Sequence, residues 1–301
     1  MVQDKVRGRL ALPAVAAGVL AVSAAAIFIR LAEAPAIAIA FWRCALGAAL
    51  LLPPALVRRE RFPKGRDLCV GVASGVALGA HFGFWISSLE HTSVAASVVL
   101  VSTQPVFVAI FAYVAFGEST SPLSFVGILA ALAGTVVIAG DDSVRSAAPL
   151  GNALALVGAV TVAVYVLIGR SARTGGIGIL PYSLVVYSAA ALALLPVALV
   201  LDVRLWGYSD ETWFWLWAIT LGPQIMGHTV FNWALRYSRP RSSRVPSSPS
   251  QSSPRSSPGS YSPRGPAWPR CSVVAWCSSA NSCFCGDAGS SRSPSREKPV
   301  S

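Results

Sequence analysis

The chain has 301 residues, of which 54% are hydrophobic and only 12% charged, with a formal net charge of +11. A soluble domain carries roughly 25% charged residues, so this composition excludes an ordinary soluble enzyme and points to the bilayer. The basic excess does not mark a nucleic-acid protein, because it sits at the N-terminus, in short linkers and in the tail rather than on one aromatic-studded face.

A hydrocarbon core takes about 20 apolar residues to cross. Eight stretches meet that length: about 11–29, 36–57, 68–89, 93–116, 122–140, 149–169, 180–201 and 213–235. The first, preceded by Lys5, Arg7 and Arg9, has the layout of a signal peptide. It is read instead as a membrane helix, because further spans follow and a later segment repeats it. Arg58, Arg59, Arg61, Lys64 and Arg66 follow span two, Arg170 and Arg173 follow span six, and Arg236 follows span eight. All fall on one side, which the positive-inside rule makes the cytoplasm. Glu33, Glu90, Asp141, Asp142, Asp202, Asp210 and Glu211 fall on the other. The N-terminus and the tail are thus expected inside a cell membrane. Cys44 and Cys69, isolated among apolar residues, read as small packing residues.

The chain also repeats itself. Gly18–Arg30 parallels Gly158–Arg170 at a spacing of 140, and Leu51–Val57 parallels Leu194–Val200 at 143. His81 and Phe84 parallel His228 and Phe231 at 147, and Ser88–His91 parallels Ala234–Tyr237 at 146. Four matches in order imply a unit of five spans. An odd unit in tandem enters the membrane from opposite faces, an inverted repeat of the kind that places a transporter's site near the midplane. The fold expected is an all-α polytopic membrane protein with a first five-helix repeat over 10–140. A second, incomplete repeat of three helices follows over 149–237.

Partners for spans four and five belong near 239–286. That region is rich in Ser, Pro and Arg, including Arg239, Arg241, Arg244, Arg255, Arg264 and Arg270. An Arg at a helix centre costs about 2.5–3.5 kcal/mol on the insertion scale, and repeated Pro removes helix hydrogen bonds. Residues 238–301 are therefore expected to be a basic, disordered tail. Two accounts fit it: an authentic tail, or a reading-frame shift near codon 238. The matched length and the switch in mid-motif favour the second. Cys271, Cys277, Cys283 and Cys285 do not have zinc-ligand spacing, so no metal or cofactor is expected.

Several residues are candidates for lining a solute pathway. Arg43 lies about 10 Å into span two at 1.5 Å per residue, and an intramembrane cation usually faces the bundle interior. The competing reading is a side chain that snorkels to the interface. His81 and His228 are repeat partners, expected at mirrored depths and suited to hydrogen bonding or proton coupling. Gln104, before Pro105 in span four, offers a polar side chain beside a carbonyl freed by the proline. Trp85 and Asn232 could line the same cavity. Trp213, Trp215 and Trp217 read as an interfacial belt, and Gly71, Gly75, Gly79 and Gly83 as a close-packing stripe. No nucleophile–base pair, P-loop or metal cluster appears, so no enzyme is expected.

The strings IFIRLAEAPAIAIAFWRCALGAALLLPPAL, HFGFWISSLEHTSVAASVVLVSTQPVFVAIFAYVAFGE and GHTVFNWALRYS carry a family signature. They resemble the EamA-type transporters of the drug/metabolite transporter superfamily, over about residues 10–237. The cues are Phe41–Arg43, the Gln104–Pro105 pair followed by Phe116–Glu118, and Ala234–Tyr237. The resemblance implies ten spans in two inverted halves, with small metabolites, amino acids or drugs exported or exchanged between them. It also implies an apolar span after Tyr237, where this chain has Ser238, Arg239 and Pro240. The expected partners are a small-molecule solute and the lipid bilayer, and no nucleic acid. A homodimer is compatible with the sequence but nothing in it demands one. The alternative is a membrane protein that does not transport, or an inactive product of a frameshifted gene.

Overall fold

The structure is a computed structural model that describes residues 16–118, 120–139 and 149–235. The chain divides into two units, 1–242 and 243–301, and all described residues lie in the first. The expected basic tail, its cysteines, Lys5, Arg7, Arg9, Asp141, Asp142, Arg236 and Tyr237 lie outside the described residues.

Among the described residues every regular element is helical. The helices are α1 (Ala16–Leu31, with a turn at Ala24), α2 (Ala36–Val57), α3 (Arg66–His91), α4 (Val94–Val101) and α5 (Gln104–Phe116). They continue with α6 (Pro122–Ala139), α7 (Pro149–Thr174), α8 (Ile179–Val200), α9 (Asp210–Ile219) and α10 (Val230–Leu235). A π-helix, Thr220–Thr229, joins α9 to α10. Five segments are long and apolar enough to cross a membrane: α2, α3, α4 with α5, α7 and α8.

Besides α1 with its turn at Ala24, two expected spans are not continuous α-helices. Span four breaks at Ser102–Thr103, between α4 and α5. Pro105 has no N–H to return to the preceding turn. The Ser102 and Thr103 hydroxyls instead donate to the carbonyls of Val98 and Leu100, both at 2.6 Å. Span eight is α9, the π-helix and α10. Gly222, Pro223 and Gly227 lie in its π-helical middle. Pro223 cannot donate to the carbonyl four residues back, and the wider i→i+5 pattern passes over that missing donor.

The core forms where α3 meets α7 and α8, and where α2 meets α8. The glycine stripe of α3 permits this. A Cβ on Gly75 would lie 2.4 Å from the Val186 carbonyl oxygen and 2.6 Å from the Ala189 Cβ. Gly71, Gly79 and Gly83 face Val185, Ala190 and Leu194 in turn, so α3 and α8 run parallel with their backbones nearly touching. On α7, Gly151 meets His91 and Thr92 while Gly158 meets Trp85, so α7 runs antiparallel to α3. Without a hydrophobic force between helices in lipid, such close approach supplies the association energy. Elsewhere large apolar side chains stay exposed, such as Leu20, Leu123, Val137 and Val200. That suits a lipid surface, which α4–α6 line more than they enter the core.

Some elements that the sequence repeat pairs also match in length and turn. α2 and α8 both have 22 residues and start and end 143 positions apart. Arg59 and Asp202, also 143 apart, both take a left-handed backbone, φ 48° and 50°. Gly158 sits against Trp85, and Gly18, its counterpart in the sequence repeat, sits against Phe231.

Candidate functional site

Arg43 occupies the eighth position of α2, far enough along the helix that its side chain cannot easily reach the near end. It does not snorkel: the residue is 0% exposed. Its Nε donates to Gln224 Oε1 at 2.9 Å, and its guanidinium carbon stands 3.8 Å from the centroid of the Phe82 ring. Nη1 and Nη2 have no hydrogen-bond partner. A buried cation satisfied at one nitrogen only is costly, by several kcal/mol in a protein interior.

Gln224 is held by the π-helix, next to the break that Pro223 makes. Its backbone carbonyl accepts from the Tyr187 hydroxyl at 3.2 Å, and that hydroxyl also meets Thr229 Oγ1 at 2.9 Å. Gly47 leaves room for this contact, since a Cβ there would lie 3.3 Å from both Gln224 and Tyr187. One turn on, His228 projects from the same π-helix against Phe82, with ring centroids 5.1 Å apart and nearly perpendicular.

The two histidines meet. Their ring centroids are 6.4 Å apart, closer than the mirrored depths expected from the sequence repeat would allow. His81 Nδ1 donates to the Gly158 carbonyl at 2.8 Å, and its ring stacks on Trp85 at 5.8 Å with an interplanar angle of 5°. Tyr165 lies 6.3 Å from His228, ring to ring, and its hydroxyl donates to Asn232 Oδ1 at 2.6 Å. Arg43, His81, Trp85, His228 and Asn232 therefore belong to one buried cluster. Gln104 does not join it: the residue is half-buried at the start of α5, which packs on α7, and no hydrogen bond or ring contact among the described residues links it to the others.

Each end of the cluster is covered. Trp42, next to Arg43, donates from Nε1 to the Leu205 carbonyl at 2.7 Å and packs edge-on against Trp206 and Trp213. Trp213 and Trp215 are half-buried and make ring contacts, with Trp215 5.4 Å from Phe28, while Trp217 stays exposed. At the other end Arg170 forms a bidentate pair with Glu118, at 2.7 and 2.8 Å. Arg173, expected as a loop cation, is 2% exposed. It donates to the carbonyls of Asn232 and Ile177, tying the end of α7 to α10. Cys69 is exposed, contrary to a packing role, whereas Cys44 is fully buried.

Sequence reasoning missed Gln224, Phe82, Tyr165 and Tyr187. A signal existed for Gln224, the polar residue after Gly222–Pro223 inside an apolar span. The others read as ordinary aromatic residues. Among the described residues no group of His, Cys, Asp and Glu could hold a metal ion.

Residues 9–140 match the model of the EamA-like transporter family. Over these residues the chain is similar to that family, and the matched region contains Arg43, His81, Phe82 and Trp85. One similar solved structure, titled only "Crystal structure of protein", aligns with a TM-score of 0.56 and 21% identity over 73% of this chain and 79% of that one. At that identity the likeness concerns the fold. No curated protein matches the sequence.

Proposed function

We propose that the chain is a secondary transporter that moves a small metabolite, amino acid or drug outward across the cell membrane. Its halves, 10–140 and 149–237, alternate access to a shared site, with the N-terminus and tail on the cytoplasmic side. The observation that carries this reading is Arg43: fully buried, bonded once to a neutral amide, and left with two unpaired nitrogens. A cation so placed is an unfavourable structural element and a suitable anchor for a bound solute. The matching lengths and turns of α2 and α8 support an inverted duplication. The Trp42 cluster above the site and the Glu118–Arg170 pair below it suit a closed intermediate of the cycle, in which both ends are sealed.

Arg43, His81, Trp85, His228 and Asn232 are the proposed pathway residues, and Gln104 would line an approach to them along α5. The test is uptake of a labelled metabolite panel into proteoliposomes holding the full-length chain, beside an Arg43→Ala variant. Flux above protein-free vesicles that is lost with Arg43→Ala supports the proposal. Equal flux with and without protein across the panel would instead favour a non-transporting membrane protein.

A further inference from the structure

We infer that the solute bound here is a small organic monocarboxylate carrying no ammonium group; this rests on the transport reading above and narrows it. The argument is an inventory of hydrogen-bonding atoms that the cluster leaves unused. They are Nη1 and Nη2 of Arg43, Nε1 of Trp85, Nδ2 of Asn232 and Nε2 of Gln224. Every one of these is a donor, and the acceptors left in the cluster are ring nitrogens of the histidines, such as His81 Nε2 opposite the Nδ1 that donates to Gly158. The four residues are between 0% and 7% exposed, so water cannot freely serve them. The amide orientations follow from the partners: Gln224 Oε1 takes the Arg43 Nε–H, and Asn232 Oδ1 takes the Tyr165 hydroxyl. The two amide nitrogens are thereby left free to donate.

Buried donors without acceptors are costly, and native structures seldom keep several together. A ligand rich in acceptors removes that cost. With Nε occupied, Arg43 presents its Nη1–Nη2 edge, the side of a guanidinium that pairs two parallel N–H groups with the two oxygens of a carboxylate. The Arg43 charge sits over the Phe82 ring, and the other buried arginine at the cluster, Arg173, already donates to the carbonyls of Asn232 and Ile177, so Arg43 is the cation left to meet one negative charge.

The same inventory argues against an ammonium group. Every acidic residue among the described residues, from Glu33 to Glu211, lies in a loop or in a first or last helical turn. None is available to hold a cation beside the histidines. With the Arg43 charge already present, an amino acid or a cationic drug would bring a second positive charge into a buried site without a counter-charge.

The test uses the full-length chain in proteoliposomes and three skeletons: propanoate, benzoate and 3-phenylpropanoate. Each is labelled and compared with its amide and its amine, and alanine, phenylalanine and phenyl phosphate complete the panel. At least one carboxylate should enter roughly tenfold to a hundredfold faster than its own amide, the range expected for charge-assisted hydrogen bonds. Arg43→Gln should bring that carboxylate down to the rate of the amide. Trp85→Phe, which keeps the ring and removes one donor, should slow it several-fold. Uptake of an amine, a zwitterion or phenyl phosphate with no carboxylate flux would overturn the monocarboxylate assignment while leaving a transporter in place. Carboxylate flux unchanged by Arg43→Gln would overturn it as well. If nothing in this panel crosses while the broader metabolite panel does, the assignment fails and the transport reading stands; if neither panel shows flux, both fail.

Discussion

The glycine stripe of α3 gives a graded prediction, because the space beside each glycine differs. Adding a methyl at Gly75 puts a carbon 2.4 Å from the Val186 carbonyl oxygen and 2.6 Å from the Ala189 Cβ. Carbon atoms pack best at about 3.5–4.0 Å, so α3 and α8 would have to separate by about 1 Å. At Gly79 the nearest atom, the Ala190 carbonyl oxygen, is 3.0 Å away. At Gly83 it is the Leu194 Cδ2 at 3.4 Å, the end of a side chain that can turn aside. Overpacking costs about 1–3 kcal/mol, and replacing Gly by Ala in a helix returns about 1 kcal/mol. Gly75→Ala should therefore lose about 2 kcal/mol, Gly79→Ala should come out near neutral, and Gly83→Ala should be neutral or slightly stabilising. At about 2.1 cal/mol/K of unfolding entropy per residue, 2 kcal/mol in a chain of 301 residues corresponds to about 3 °C in Tm. Thermal unfolding of the three purified variants in one detergent measures the order. Equal destabilisation at Gly75 and Gly83 would refute the claim that backbone contact between α3 and α8 sets the packing.

Three further outcomes follow from particular contacts. With the four tail cysteines changed to Ser, a membrane-permeant maleimide should label Cys69 in the native protein and Cys44 only after denaturation, read by mass of the labelled peptides. Arg173→Ala should cost about 2–4 kcal/mol, since it leaves two carbonyls without a buried donor and removes packing at the α7–α10 junction; denaturant-resistant fluorescence of a fused reporter would measure the loss. The Glu118–Arg170 pair is partly exposed, with side chains 29% and 19% accessible. Its coupling energy in a double-mutant cycle should stay within about 1 kcal/mol, and a much larger value would mean that the ends of α5 and α7 depend on it for their position.

Apolar run length alone marked the helices. α2, expected at 36–57, spans Ala36–Val57, and α8, expected at 180–201, spans Ile179–Val200. Transfer free energy acts locally, residue by residue, so it is legible without neighbours. The repeat likewise pointed to His81 and His228 as a pair, and the cost of an intramembrane charge marked Arg43. The failures have a common origin in contacts that are distant in sequence. Gln224 is 181 positions from the Arg43 it binds, and the π-helix that presents it depends on where Pro223 falls within a packed segment. Arg173 looked like a topogenic loop charge because the Asn232 carbonyl it reaches lies 59 positions later.

Apolar run length thus determined that this is a bundle of membrane helices, where α2 and α8 begin and end to within a residue, and that Arg43 must be explained. Only the tertiary structure decided what Arg43 touches, that the histidines adjoin, and that Gln104 stands apart from them. Burial in lipid is a property of a single segment, whereas the direction and partner of a buried polar group depend on how close two backbones can come. In this chain that distance is set by the glycines of α3 against Val186, Ala189 and Ala190.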